Sequence, residues 1–170
     1  GLGVMGQSLA RNIMSKGFTV SIYNIETEVT EKLAKIYPSL DGYMSLEDFV
    51  NSLEQPRKII LMVTAGRVVD SVINSLKPLL EQGDILIDCG NSFYEDTERR
   101  MQELEELGLR FIGSGVSGGE KGALYGPSIM PSGDYAAYRE IEEIFTAMAA
   151  KNEDGSSCCT YIGRKGSGHF

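Results

Sequence analysis

No apolar run in this 170-residue chain approaches the ~20 residues a bilayer-spanning helix needs, and no signal-peptide pattern opens it. A membrane partner is therefore not expected. Cysteine is scarce. Cys89, Cys158 and Cys159 are odd in number, include an adjacent pair and lack CxxC spacing, which argues against a disulfide framework and against a metal site. Reduced thiols in a cytoplasmic protein are the expectation. Histidine is scarcer still: His169 is the only one, and its place beside the last residue predicts a frayed, exposed end. Positive charge is also short, with 16 Lys and Arg against 24 Asp and Glu and a formal net charge of −8. That balance argues against nucleic acid as a partner, although a pocket on an acidic protein can be locally positive for a small anion. Repeats, low-complexity tracts and linkers are missing too, so one domain is expected at this length.

What the chain does contain is an alternation of two patterns. Thr19–Asn24, Lys58–Val63, Ile85–Asp88 and Arg110–Ser114 are short, β-branched and apolar without strict alternation, as strands buried on both faces are. Between them, Gln7–Lys16, Glu28–Ile36, Leu46–Leu53, Val68–Leu80 and Asp96–Leu107 carry apolar residues at helical spacing, and Tyr135–Ala150 is a further amphipathic helix. Gly17 and Gly108 stand where a helix C-cap favours a left-handed residue, and Ser45 with Asp48 resembles a capping box. Thr160–Ile162 is a candidate for one more strand, and Asn152–Ser157 reads as a polar turn. Strand and helix in alternation predict a Rossmann-type α/β fold, a doubly wound, mostly parallel sheet with helices on both faces.

Gly1-Leu2-Gly3-Val4-Met5-Gly6 fits GxGxxG and runs directly into a helical pattern. Glycines there permit a tight turn, and they let a pyrophosphate approach the helix N-terminus, whose amides and dipole favour an anion. The pattern alone is weak. A strand ending near Asn24, at the distance needed to meet an adenosine ribose, strengthens it. Small or polar residues also follow every predicted strand: Asn24–Thr27, Thr64-Ala65-Gly66, Cys89-Gly90-Asn91-Ser92 and Gly115–Gly119. Each alone is an ordinary turn, but in an open α/β sheet all of them open on the edge where ligands bind.

The segments GLGVMGQSLARNI, PRKIILMVTAG, GDILIDCGNS, FIGSGVSGGEKGALYGPSIMP and CCTYIGRKGSGHF resemble, in order and spacing, the coenzyme domain of decarboxylating 6-phosphogluconate dehydrogenases. The resemblance runs along nearly the whole chain. It implies hydride transfer from C3 of 6-phosphogluconate to NADP or NAD, with loss of carbon dioxide to give ribulose 5-phosphate, in a cytoplasmic homodimer of the pentose phosphate pathway. It further implies that Gly1, Leu2, Gly3, Val4, Met5, Gly6, Asn24, Ile25, Glu26, Val63, Thr64, Ala65 and Asn91 contact the coenzyme. Asn91, Ser117, Gly118 and Gly119 would contact the substrate. An amide and a hydroxyl can orient a polyol carboxylate, and glycines admit backbone amides to it.

The chain departs from that family in places that matter. Asn24-Ile25-Glu26 stands where the family has Asn-Arg-Thr, and Thr64 where it has Lys, so two cations that would hold a 2′-phosphate are replaced. A carboxylate repels that phosphate and can accept hydrogen bonds from the ribose hydroxyls of NAD. Glu26 pointing only to solvent is the competing expectation. Cys89 replaces a glycine and is expected to be a packed, unreactive thiol. Ser132 replaces another glycine, with no consequence legible in the sequence. The chain starts within the glycine motif and stops after a glycine-rich turn, so the expectation is one Rossmann domain, residues 1–170, lacking its first strand and a C-terminal helical domain. The resemblance puts the general base Lys and the acid Glu beyond Phe170, which makes the fragment a binder without turnover. Other β-hydroxyacid dehydrogenases, a methyltransferase with a glycine loop and a non-catalytic nucleotide-binding module are the rival readings.

Overall fold

A computed structural model describes all 170 residues. The sheet forms in two parts. β1 (Val20–Ile22) pairs in parallel with β2 (Leu40–Gly42). β3 (Lys58–Leu61), β4 (Ile85–Asp88), β5 (Arg110–Ser117) and β6 (Ser128–Gly133) lie side by side in that order, parallel except for β6. Gly1 sits at the seam: its amino group is 3.4 Å from the Tyr23 carbonyl, and a Cβ on it would lie 2.5 Å from the Met62 carbonyl oxygen. The glycine turn therefore occupies the carboxyl ends of β1 and β3 together.

Helices cover both faces. α1 (Val4–Ser15), α6 (Gly119–Tyr125) and α7 (Tyr135–Met148) pack over one side, where Leu9, Ile13, Ala123, Ile141 and Phe145 meet Ile85, Ile87 and Ile112. On the other side α3 (Leu46–Asn51), α4 (Arg67–Leu76) and α5 (Tyr94–Glu105) bring Val50, Val69, Ile73 and Leu104 onto Ile59, Leu61, Leu86 and Phe111. Successive β4 residues point to opposite helix layers, so the whole strand is buried, as its unbroken apolar run predicts. α2 (Thr27–Ile36) closes a smaller core of Leu2, Ala10, Ile22, Leu33 and Leu40. No helix is long and apolar enough to cross a membrane.

The predicted punctuation holds. Gly17 (φ 91°) and Gly108 (φ 71°) are left-handed at their helix ends. Ser45 Oγ accepts from Asp48 N at 3.0 Å. Three elements escaped the sequence pattern. β2 is too short to show a period. β6 holds Pro131 and Gly133, which strand preferences disfavour, and is formed by its long antiparallel pairing with β5. α6 begins in a run of glycines with low helix propensity and is held by packing on α1. β5 also runs through Ser117, beyond the predicted end. Thr160–Ile162 is not a regular strand: it follows β6 through Thr160 N to Ile129 O (3.3 Å) and Ile162 N to Pro131 O (2.8 Å), with isolated bridges on either side.

One buried side chain ties α1 to the two helices it packs on. Asn12 Nδ2 donates to the carbonyls of Ala123 and Met148, both at 2.9 Å, near the ends of α6 and α7 where no intrahelical donor is available. Asn12→Leu keeps the branching of the side chain and leaves both carbonyls dry and unpaired. Urea unfolding should give a stability loss of about 2 kcal/mol or more with little change in slope. An unchanged midpoint would contradict this role.

Candidate functional site

The glycine turn is closed by contact with itself. A Cβ on Gly6 would collide with the carbonyl oxygen of Gly1, and one on Gly1 would strike both Met62 and Val63. Gly3 differs: its φ is an ordinary −65°, and a Cβ built on it meets nothing within 4 Å. The fold does not require glycine at that position. The amides of Val4, Met5 and Gly6 lie just beyond it in the first turn of α1 and have no partner within the chain.

Asn24 fixes this turn to the end of β1. Its Oδ1 accepts from Leu2 N at 2.8 Å, and its backbone N donates to Thr30 Oγ1 at 3.0 Å. Gln7 Nε2 holds the Leu2 carbonyl at 2.8 Å. Ile25, 84% exposed, and Glu26 follow on the surface, and the Glu26 carboxylate has neither a hydrogen bond nor an ion pair. Thr64 and Ala65, also exposed, continue the same edge after β3, and Gly66 (φ 87°) turns the chain into α4.

Beside them, the end of β4 forms an arch. Asp88 is fully buried, and its carboxylate accepts from Gly90 N at 3.0 Å and from Ser92 Oγ at 2.5 Å. Asn91 stands between the two clamped residues, exposed and without a side-chain partner. A Cβ on Gly90 would lie 3.0 Å from the Val63 carbonyl oxygen, so the arch and the β3 loop touch. Behind the arch, Arg100 from α5 is 1% exposed and reaches Asp70, the Gly66 carbonyl and Asp88. Sequence patterns single out neither Asp88 nor Arg100: an acid ending an apolar strand and an arginine within a charged helix both read as ordinary.

Asp88 pairs with Gly113 across β4 and β5, so the arch and the end of β5 leave the same edge of the sheet. β5 then projects further, ending in exposed Ser117, and Gly118 (φ 134°) and Gly119 (φ 61°) turn it into α6. Asn91 and Ser117–Gly119 thus open on one side of the domain.

The end of the chain is not frayed. The turn Gly166–His169 is seated between α5, β5 and β6, where Gly168 N donates to Ser132 Oγ (2.8 Å) and Ser132 Oγ donates to the Gly113 carbonyl (2.9 Å). Ser132, unexplained by sequence, is therefore the peg for this turn. His169 Nδ1 lies 2.7 Å from Thr97 Oγ1, and its ring fills the space left by Gly113, where a Cβ would come within 3.0 Å of Nδ1. Its Nε2 is buried without a partner. Burial pushes the His169 pKa down and the Arg100 charge adds to this, against the Asp88 charge and the Ser114 and Asp88 carbonyls, which favour the proton. Cys89 is packed in the core, where burial and then the neighbouring Asp88 charge drive its thiol pKa upward, so it is inert.

Residues 1–163 match the family model described as the NAD binding domain of 6-phosphogluconate dehydrogenase. Over its full length the chain is 57% identical to the "6-phosphogluconate dehydrogenase, NAD(+)-dependent, decarboxylating" of Bacillus subtilis (strain 168), and 55% identical to the decarboxylating 6-phosphogluconate dehydrogenase of Bacillus licheniformis. It spans 36% and 37% of those relatives. Among solved structures, Plasmodium falciparum 6-phosphogluconate dehydrogenase, studied with NADP+ and with 6-phosphogluconate, superposes at a TM-score of 0.94 and 43% identity, covering 99% of this chain and 37% of that one. A 3-hydroxyisobutyrate dehydrogenase from Salmonella typhimurium, 20% identical with a TM-score of 0.82 over 99% of this chain and 56% of that one, shares the fold.

The seat of His169 predicts a pH dependence of stability. The unfolded histidine takes up a proton near its ordinary pKa of about 6.5, and the folded one resists protonation to lower pH. Acid therefore favours the unfolded chain as pH falls through and below about 6.5, and above that value the contribution vanishes. Urea midpoints at pH 7.5 and 5.5 should fall further with acid in the parent chain than in His169→Asn. Equal slopes for the two would contradict the burial of this ring.

Proposed function

This chain belongs to the family of NAD-binding domains of 6-phosphogluconate dehydrogenase, and from that membership we propose that it is the coenzyme domain, residues 1–170, of an enzyme that oxidises and decarboxylates 6-phosphogluconate to ribulose 5-phosphate. The observation that carries this reading is the convergence, on one sheet edge, of the unpartnered amides of Val4–Gly6 with the clamped Asn91. The bound nicotinamide coenzyme supplies the hydride acceptor.

The chain's own residues do the rest of the binding. The amides and dipole of α1 take the pyrophosphate over Gly3, where no side chain obstructs it. Asn24, Ile25 and Glu26 take the adenosine ribose, and Val63, Thr64 and Ala65 line the middle of the coenzyme. Asn91 presents its amide to the substrate from a fixed arch, with Ser117, Gly118 and Gly119 on the other side of the same opening. Proton transfer falls to a Lys and a Glu of the remaining protein, so the isolated domain binds coenzyme and does not turn over. The full-length protein is a cytoplasmic homodimer of the pentose phosphate and gluconate-utilisation routes.

Charge at one spot decides between the coenzymes. A 2′-phosphate carries nearly two negative charges, and the surface after β1 offers it an exposed isoleucine and a free carboxylate. Loss of a charge-assisted pair removes ~1.5–3 kcal/mol, roughly one to two decades of affinity. Glu26 can accept hydrogen bonds from an unphosphorylated ribose, so NAD is favoured. Arg67, exposed at the start of α4, is a candidate to restore a cation.

The test is 6-phosphogluconate oxidation by the full-length enzyme with each coenzyme. kcat/KM should be higher with NAD, and Ile25→Arg with Glu26→Thr should shift the ratio toward NADP by about tenfold or more. No oxidation with either coenzyme would overturn the function. A strong NADP preference unmoved by the double substitution would overturn the role of this loop.

A further inference from the structure

We propose that Arg100 and Asp88 are positioning residues that hold the Asn91 arch at a fixed place relative to the coenzyme loop Val63–Gly66. The proposal rests on the functional reading above for the roles of those two loops. It rests on geometry for the link between them.

Arg100 is a buried guanidinium with contacts in three directions. Nε donates to Asp70 Oδ1 at 2.8 Å, and Nη2 donates to the Gly66 carbonyl at 3.0 Å and to Asp70 Oδ2 at 3.3 Å. Both of those partners belong to the start of α4 and the turn that leads into it. Nη1 faces the other way, 3.8 Å from Asp88 Oδ2, and has no hydrogen-bond partner. Asp88 in turn holds the residues on either side of Asn91, through Gly90 N and Ser92 Oγ. The two loops are thus linked through one strut of side chains, hydrogen-bonded from Gly66 and Asp70 to Arg100 and from Asp88 to Gly90 and Ser92, and joined in the middle by the 3.8 Å ion pair of Arg100 with Asp88.

Stability alone does not call for this arrangement. Two charges buried to 1% and 0% exposure lose hydration that their mutual attraction repays only in part, and apolar side chains of similar volume fill such space as well. What the pair supplies is a set distance and orientation. The planar fork of arginine fixes the Gly66 carbonyl and the Asp70 carboxylate together, which a lysine or a hydrophobic residue cannot do. Gly90 passes close to the Val63 carbonyl, where even a Cβ would come within 3.0 Å of the oxygen, so the arch lies directly beside the coenzyme loop. Hydride transfer requires the donor and acceptor to be held within a fraction of an ångström of a productive separation, and an error of about 1 Å costs roughly a hundredfold in rate.

The experiment uses the full-length enzyme with Ser92→Ala, Asp70→Asn and Arg100→Lys. Ser92→Ala removes one clamp of the arch without touching a charge, so it keeps the proposal testable if Arg100→Lys fails to fold. Positioning predicts that kcat with 6-phosphogluconate falls about tenfold or more in Ser92→Ala, with NADH affinity changed by less than about twofold. It also predicts that Ser92→Ala combined with Arg100→Lys is no worse than the poorer single variant, since both act through Asp88. Hydrogen exchange of the Gly90 segment reads the strut independently of turnover. It should accelerate in Asp70→Asn, a change made on the far side of Arg100. Gly90 exchange unmoved by Asp70→Asn, or kcat and NADH affinity falling together in Ser92→Ala, would overturn the proposal. An enzyme that oxidises no 6-phosphogluconate would instead overturn the functional reading, and the exchange experiment would still decide the strut.

Discussion

The contact of Gly6 with the Gly1 carbonyl is the constraint on which the rest of this domain depends. Because no side chain stands between them, the chain reverses within a few residues and α1 starts flush with the carboxyl edge of the sheet. That start puts the amides of Val4–Gly6 where no protein group reaches them. It also lets Leu2 N reach Asn24 at the end of β1, and sets Gly1 against Met62 and Val63 at the end of β3. One tight turn thereby joins the two parts of the sheet at the edge where the remaining loops open.

The other loops are shaped by burial rather than by a motif. Asp88 is a polar group at the end of a fully buried strand, and its hydrogen bonds to Gly90 and Ser92 satisfy it while they turn Asn91 outward. Burial keeps Cys89 in its thiol form, and the same carboxylate adds to this. Exposure rises sharply along this segment, from a buried acid and a buried thiol to an exposed amide. A polar group is presented to the cleft by a backbone that the core holds still.

Much of this was legible in the sequence, and for definite reasons. Ile85–Asp88 is buried on both faces, and Ile59–Leu61 packs between both helix layers, so each carries a continuous apolar run of three residues. Gly17, Gly108 and Ser45 mark helix ends because only their backbone freedom or hydroxyl suits those positions. β6, α6 and the seat of His169 were not legible, because long-range contacts form them against local preference. Pro131 and the glycines around Gly119 disfavour the structures they adopt, and His169 is half-buried because Gly113, Ser132 and Thr97 make room for it and hold its turn. Arg100 escaped notice because a charged helix conceals which of its arginines faces inward. In each case the residue is ordinary and its neighbours are not.

The central claim is that the turn Gly1–Gly6 is shaped for a pyrophosphate, and Gly3 tests it most directly. A methyl group there meets no protein atom at an ordinary backbone angle, so Gly3→Ala should keep folding stability within about 1 kcal/mol, the range of helix-cap changes. The same methyl group would project into the space assigned to the coenzyme. Fluorescence titration of NADH against the parent chain and Gly3→Ala, alongside urea unfolding of both, measures the two effects separately. The account predicts coenzyme affinity weakened about tenfold or more with stability retained. Unchanged affinity in a folded Gly3→Ala chain would contradict it.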